Sequence, residues 1–153
     1  MPTPYTDPCR PIASLLADAK AACEGVGVSA RPYAGTTLKG LVMEAATAVT
    51  ESAGEPTAVC LYVSSYFGNF PRRTSTIQII VLSADSKVVD GVAASIAAAR
   101  KIAAAIDDTV HQETDEEQNT ITDKWTVAAE EVMDLPGLSD TAAVALSISI
   151  EDY

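Results

Sequence analysis

The sequence predicts an α+β fold, in which a mixed, mostly antiparallel sheet of about four strands is flanked by helices. Two apolar runs, at 57–64 and 75–83, are rich in the β-branched and aromatic residues that fit a pleated surface. An alanine-rich segment with helical spacing follows at 90–106. At 143–150, large aliphatic side chains alternate with alanine and serine. We therefore expect two neighbouring strands, a helix laid against them and a last strand that completes the sheet.

The beginning of the chain predicts an extended arm and a first helix. The arm covers residues 1–10 and holds three prolines, which favour extended backbone. At 11–24 the apolar residues recur with helical spacing. Pro11 suits the first turn of this helix, and Gly25 suits its end.

The next segment predicts an irregular strand and a second helix. Residues 26–35 have the character of an irregular strand and loop. Helical spacing returns at 36–52, although Gly40 within it leaves a pair of short strands as the alternative. The length of the chain indicates a single domain over 1–153.

The strand at 57–64 is apolar on both faces, which predicts a central position covered on both sides. Val59, Leu61 and Val63 alternate there with Ala58, Cys60 and Tyr62. The strand at 75–83 is apolar on one face and mostly apolar on the other. The helix that follows has Asp90 as its expected N-cap, and its alanines let it lie close to the sheet.

The segment at 65–74, between the two central strands, predicts a hairpin loop or a protruding tongue. Gly68, Asn69 and Pro71 are turn residues. The segment also carries aromatic and arginine side chains, which are over-represented in protein–protein hot spots. The candidate interface residues are Tyr66, Phe67, Phe70, Arg72 and Arg73. The alternative is that the aromatic side chains fold back and cap the core.

The last third of the chain predicts an acidic loop and two further strands. Residues 107–120 form the polar loop. The segment at 124–132 begins as a strand that includes Trp125, and its second half is either strand or a helical turn. The last strand, at 143–150, has one face of small residues, which indicates either an edge strand or a face near other protein.

The protein is acidic, with a formal net charge of −11, and the excess is unevenly distributed. Residues 105–153 carry thirteen acids against Lys124 alone, so the rest of the chain is about neutral. An acidic surface repels phosphate groups. We therefore expect neither nucleic acid, bound with or without sequence specificity, nor an anionic membrane as a partner.

The cysteines and the apolar segments predict a soluble protein made inside a cell. Cys9, Cys23 and Cys60 are odd in number and lack CxxC spacing, so we expect free thiols in a reducing compartment. Thiols of this kind are usually buried and pack as small apolar side chains. The N-terminus lacks a signal-peptide pattern, and the longest apolar window, at 92–106, is too short to span a bilayer.

No motif predicts a catalytic, cofactor-binding or metal-binding residue, so we expect a protein that is not an enzyme and has no cofactor. The glycine pattern at 25–30 follows a helix instead of a strand, which argues against dinucleotide binding. His111 is the only histidine, is expected to be solvated, and has no nucleophile elbow beside it. The acids at 107–117 lack EF-hand spacing. Only Glu44 is an acid in apolar surroundings, and paired catalytic carboxylates require a desolvated member.

The order of elements carries a resemblance to a known family. The residues involved are Pro56-Thr57-Ala58-Val59 before one strand, Val81-Leu82-Ser83-Ala84-Asp85 at the end of the next, the helix at 93–106, and the final Ser149-Ile150-Glu151-Asp152-Tyr153. With these elements the chain resembles tail terminator and related neck or tail-completion proteins of bacteriophages, including Mu-like prophage virion proteins. The segment at 25–54 is longer than in the compact members of that family.

The resemblance implies a structural virion protein with a tail-terminator-like fold and no catalytic residues. Such a protein forms a homo-oligomeric ring, commonly a hexamer, at the end of the tail tube, where it stops tube growth and meets the head connector. Its partners would be copies of itself and other tail or neck proteins. It would be made in the cytoplasm of the bacterial host and end in the virion.

Two other functions stay open at this stage. A small-ligand or regulatory binding module would need a deep apolar pocket with convergent polar groups. A hydrolase would need His111 or the acids at 107–117 as its catalytic groups.

Overall fold

The structure, a computed structural model, describes residues 10–69, 72–85, 88–138 and 140–152. The helices in these ranges are α1 (Ile12–Gly25), α2 (Leu38–Glu51) and α3 (Ala93–Ile106), and a π-helical turn at Val88–Val92 leads into α3. The strands are β1 (Ser29–Tyr33), β2 (Thr57–Asn69), β3 (Arg72–Ser83), β4 (Thr109–Thr114), β5 (Thr120–Met133) and β6 (Ala142–Asp152).

These strands form one six-stranded sheet in the order β1-β2-β3-β6-β5-β4. β1 and β2 run parallel, and the other neighbouring pairs are antiparallel. The α+β class and the mixed, mostly antiparallel sheet are therefore confirmed, and the predicted number of about four strands is approximately right. β1 lies in the segment expected to be an irregular strand and loop, and β4 is the strand that the sequence does not predict.

The acidic loop predicted at 107–120 is wrong in part, because β4 lies within it. Side chains along β4 alternate between half-buried and exposed, and the strand is paired with β5 over its whole length. A strand at the edge of a sheet with a solvated side needs no run of apolar residues. Its sequence is therefore as polar as that of a loop.

Helices cover both faces of the sheet. α1 and α3 pack on one face, here called the α1/α3 face, and α2 packs on the other, here called the α2 face. The side chains of β3 divide between two cores, with Ile77, Ile79 and Val81 on the α1/α3 face and Ile80 and Leu82 on the α2 face. The prediction that the central strands are covered on both sides is confirmed.

β6 lies between β3 and β5, so the alternative of an edge strand is wrong. Its larger side chains, Val144, Leu146 and Ile148, belong to the core on the α1/α3 face. The smaller Ala143 and Ala145 belong to the core on the α2 face. At these two positions small size reflects packing inside a second core and not exposure at an edge.

The first two helices confirm the sequence prediction. α1 has Pro11 at its N-cap and Gly25 as its last residue. α2 lies within the range 36–52, and the side chain of Thr37 caps it by accepting a hydrogen bond from the backbone N–H of Gly40 at 3.1 Å. The alternative of two short strands in this range is wrong.

Two predictions further along the chain are wrong. Asp90 is not an N-cap, because it lies inside the π-helical turn that precedes α3. The second half of β5 is strand and not a helical turn. β6 pairs with it as far as Met133, past an irregularity between Val127 and Ala129.

The arm predicted at 1–10 lies outside the described residues except for Arg10, which is buried. The single domain over 1–153 stays a prediction. Among the helices within the described ranges, none combines the length and the apolar character needed to cross a membrane.

The first testable prediction concerns the core. Ile79 is fully buried, so we expect Ile79→Ala to lower the free energy of unfolding by about 2–5 kcal/mol, through lost apolar contacts and the cavity left behind. The control, Val132→Ala on an exposed part of β5, should change it by less than about 0.5 kcal/mol. Urea denaturation followed by circular dichroism measures both. Equal effects would contradict this placement of the core.

Candidate interaction surface

The β2–β3 hairpin extends beyond the neighbouring strands. β1 pairs with β2 only as far as Leu61, whereas β3 pairs with β2 as far as Asn69. On the other side of the hairpin, β6 pairs with β3 as far as Thr74. Within the described residues, β2 therefore has no strand on its outer side from 62 to 69. The segment at 65–74, predicted as a hairpin loop or a tongue, is mostly paired strand.

We call residues 62–69 the free edge of β2. Its sequence, Tyr-Val-Ser-Ser-Tyr-Phe-Gly-Asn, contains no charged residue and no proline. Folded proteins usually protect such edges with charges, prolines or a covering segment, because unpaired backbone N–H and C=O groups attract another strand. Val63 is 47 % exposed and Tyr66 is 61 % exposed. The free edge thus offers unpaired backbone together with apolar side chains.

The structure places four of the five predicted interface residues on this hairpin, namely Tyr66, Phe67, Arg72 and Arg73. The exposure of Tyr66 shows that its ring does not fold back onto the core. Arg73 is half-buried, and its backbone N–H donates to the Asp152 carboxylate at 3.0 Å. Phe67 and Arg72 are placed by the backbone pairing of the two strands. Phe70 lies outside the described residues.

Sequence reasoning missed Val63 as an interface candidate. It follows buried positions of the same strand, and its alternation with them predicts a core side chain. An irregularity in the pairing of β2 and β3 falls between Tyr62 and Ser64, at the point where β1 has ended. Exposure at this position depends on where a distant strand stops, and local pattern does not contain that information.

The opposite edge of the sheet is β4, which pairs with β5 and has no strand on its outer side within the described ranges. Val110 on this strand is 52 % exposed. Six acids lie between 107 and 117. Backbone N–H groups of Asn119 and Glu117 donate to the Asp115 carboxylate, and these hydrogen bonds lower the pKa of Asp115. This edge therefore carries negative charge at neutral pH.

A buried group of charges, here called the Arg10 cluster, lies between α1, β4 and β5. Arg10 Nε donates to Asp123 Oδ2 at 2.6 Å, and its guanidinium also bonds to Asp18. Trp125 Nε1 donates to Asp123 Oδ1 at 2.7 Å. Asp123 is only 2 % exposed, so the expectation that Glu44 is the only acid in apolar surroundings is wrong. The signal was available, because residues two apart on a strand share a face and Asp123 precedes Trp125 by two.

The two carboxylates that contact Arg10 stabilise its charged form. Burial alone would lower the pKa of Arg10, but the hydrogen bonds and charges of Asp123 and Asp18 raise it above its ordinary value. Arg10 is therefore cationic at neutral pH. The cluster ties the start of the described chain to α1 and to the sheet.

His111 is half-buried and contacts specific neighbours, whereas the sequence predicts a solvated side chain. Its ring centroid lies 4.6 Å from that of Trp125. Its Nδ1 is 3.4 Å from Asp18 Oδ2, and its Nε2 is 3.2 Å from Thr109 Oγ1. The reason is that β4 is a strand, which holds this side chain on the α1/α3 face against β5.

The hydroxyl within reach of His111 is that of Thr109, which donates its proton to the backbone C=O of Ile106 at 2.6 Å and not to the histidine. The nearby Ser14 donates its hydroxyl to Glu113 Oε1 at 3.2 Å, and not to His111. A nucleophilic serine requires a base within hydrogen-bond reach of its hydroxyl, and a histidine is the usual base. Within the described residues, no group of three or more His, Cys, Asp and Glu side chains is placed to hold a metal ion.

Four clefts lined by described residues hold about 120 to 240 Å³ each. One beside the Arg10 cluster holds about 240 Å³. Another, between β1 and the end of α2, holds about 180 Å³, and a third, beside Tyr33 and Leu61, holds about 120 Å³. Sites for small ligands generally measure roughly 300–1,000 Å³ and are mostly apolar. These clefts therefore give no support to the small-ligand alternative.

Cys23 and Cys60 confirm the prediction of free and buried thiols. A hydrogen bond with Cys23, together with burial, raises the pKa of Cys60, so this thiol stays protonated at neutral pH. A protonated, buried thiol is a poor nucleophile. Cys9 lies outside the described residues.

Fold and surface together define a small α+β protein in which, among the described residues, one edge of the sheet has no covering strand. The sequence matches no protein-family model and is not significantly similar to any curated protein. The resemblance to phage tail terminator proteins therefore stays a prediction. Function has to be argued from the surfaces themselves.

The second testable prediction concerns the Arg10 cluster. Asp123→Ala leaves Arg10 buried without its main partner, so we expect the free energy of unfolding to fall by about 3–5 kcal/mol. The control is Glu24→Ala, which breaks the exposed pair with Lys20 and should cost less than about 1 kcal/mol. Urea denaturation compares the two. A cost for Asp123→Ala no larger than that of the control would show that the cluster does not stabilise the fold.

Proposed function

We propose that this protein is a structural virion protein of a tailed phage or prophage, a tail terminator or a head–tail or tail-completion protein. Copies of it assemble into a ring at the end of the tail tube, with six as the copy number that the family resemblance implies. The observation that carries the proposal is the free edge of β2, with exposed Val63 and Tyr66 on an uncharged strand. Such an edge is suited to receiving a strand from another chain.

The free edge favours a permanent assembly over a monomer. It is eight residues long, without a proline or a charge to deter pairing. Exposed strands of this kind are aggregation sites in proteins that stay monomeric. An ordered partner removes that liability, because backbone pairing satisfies the open N–H and C=O groups and the apolar side chains are covered.

The charge distribution is compatible with a ring through which DNA passes. The chain carries a net charge of −11, and its acids are concentrated in its last third. Acids that face a channel repel the phosphate backbone and let DNA move without binding to the wall. In this proposal the partners are copies of the chain itself and other tail or neck proteins. The place of action is the virion, after synthesis in the cytoplasm of the bacterial host.

The two alternatives have less support from specific contacts. A binding module would place its ligand in one of the small clefts, which the volumes disfavour. A hydrolase would use the Arg10 cluster, where Ser14 bonds to Glu113 and not to His111. We therefore propose that the protein is not an enzyme.

The third testable prediction concerns self-assembly. Purified protein should scatter light as an oligomer of several copies and appear as rings in negative stain. Tyr66→Glu puts a charge on the free edge and should weaken assembly by about tenfold or more, because charge at the centre of an interface must be desolvated.

The matched control for this prediction is Met43→Glu on α2. Met43 is 63 % exposed, close to the 61 % of Tyr66, but it lies on α2 and not on the free edge of β2. The control variant should assemble like the unmodified chain. Unmodified protein that stays monomeric at every concentration, or equal assembly of the two variants, would contradict the proposed function.

A further inference from the structure

We infer that copies of this chain join head to tail, with the free edge of β2 in one copy paired to the outer edge of β4 in the next. This inference rests on the proposed self-assembly and deepens it by naming the two surfaces that meet. Three features of the described residues carry it: the positions of the two edges in the sheet, their charges, and the register between them.

The two edges lie on opposite sides of the same sheet. The strand order β1-β2-β3-β6-β5-β4 puts the outer side of the hairpin at one end and β4 at the other. An interface between two different surfaces of identical chains is heterologous, and its repetition closes into a ring when the rotation allows. Pairing of hairpin with hairpin would be isologous and would stop at a dimer.

The strands also match in length and direction. The free edge spans residues 62–69, and β4 spans Thr109–Thr114, so the shorter strand fits along the longer one. From β2 to β4 the sheet has four successive antiparallel pairings, so these two strands point the same way. A sheet continued into the next copy in the same orientation pairs them parallel, as β1 already pairs with β2.

The charges of the two edges differ. The free edge of β2 is uncharged, whereas the segment at 107–117 carries six acids. Two β4 edges therefore repel each other, and an uncharged free edge does not repel a β4 edge. This difference disfavours the isologous pairing of β4 with β4 and is compatible with the head-to-tail arrangement.

The register supplies a specific contact. One row of directly opposed residues crosses the sheet through Tyr66, Thr74, Glu151, Lys124 and Val110. Tyr66 and Val110 stand at the two ends of this row, and both are exposed. A sheet continued in register from one copy to the next places Val110 of the second copy beside Tyr66 of the first. An aromatic and a β-branched side chain in opposed positions stabilise a strand pair.

A charge exchange tests this pairing. Tyr66→Glu and Val110→Lys should each shift the chain from oligomer to monomer in light scattering, since each puts an unpaired charge into the contact. The chain that carries both substitutions should assemble again, because the new Glu of one copy then lies opposite the new Lys of the next. The control combines Tyr66→Glu with Met43→Lys and should stay monomeric.

Cysteine cross-linking gives a second readout that does not depend on how a charged variant folds. In a Cys9→Ser background, Tyr66→Cys protein mixed with Val110→Cys protein should form disulfide-linked pairs. Tyr66→Cys mixed with Met43→Cys should form none. Head-to-tail pairing is overturned if the unmodified chain assembles while the double variant stays monomeric and the first mixture gives no cross-link. If the unmodified chain is itself monomeric, the proposed function fails as well.

Discussion

The central strands β2, β3 and β6 are apolar on both faces where the helices pack, and this constraint organises the rest of the structure. Each face must be removed from water, and burial is favourable by about 25 cal/mol per Å² of apolar surface. α1 and α3 cover one face and α2 covers the other. The Arg10 cluster lies at the β4 side of the α1/α3 face, where Arg10 donates a hydrogen bond to Asp123. Arg10 and Asp123 are buried there as a hydrogen-bonded pair, and the indole N–H of Trp125 donates to the same carboxylate.

The same constraint explains what is left exposed. On the α2 face the side chains of the central strands change from Val59 and Ile80, under α2, to Ser64, Thr76 and Ser149 further along. A polar side of this kind is normal for a solvated antiparallel sheet and needs no partner. The backbone of β2 beyond β1 is different, since within the described residues its row of N–H and C=O groups has no paired strand on the outer side and is open to one. In the proposed assembly, a neighbouring copy of the chain provides that strand.

Much of the fold could be predicted from the sequence, because the spacing of apolar residues along a helix or strand follows which of its faces is buried. β3, β6 and α3 each show the spacing that their packing requires. β4 could not be predicted, since a short polar strand at an edge has the composition of a loop. The Arg10–Asp123 pair could not be predicted either, because its members are 113 residues apart and only the tertiary fold brings them together. The free edge depends on where β1 stops beside β2, which is again a property of the whole sheet.

The central claim is that the backbone of residues 62–69 is paired between copies. Amide hydrogen exchange measures this directly, because an amide hydrogen-bonded in a strand pair exchanges far more slowly than an open one. The account predicts that this segment, together with β4, is protected at concentrations where the chain is assembled and loses protection in the monomeric Tyr66→Glu variant. The core strands should be equally protected in both. Equal exchange of 62–69 in assembled and monomeric protein would contradict the account.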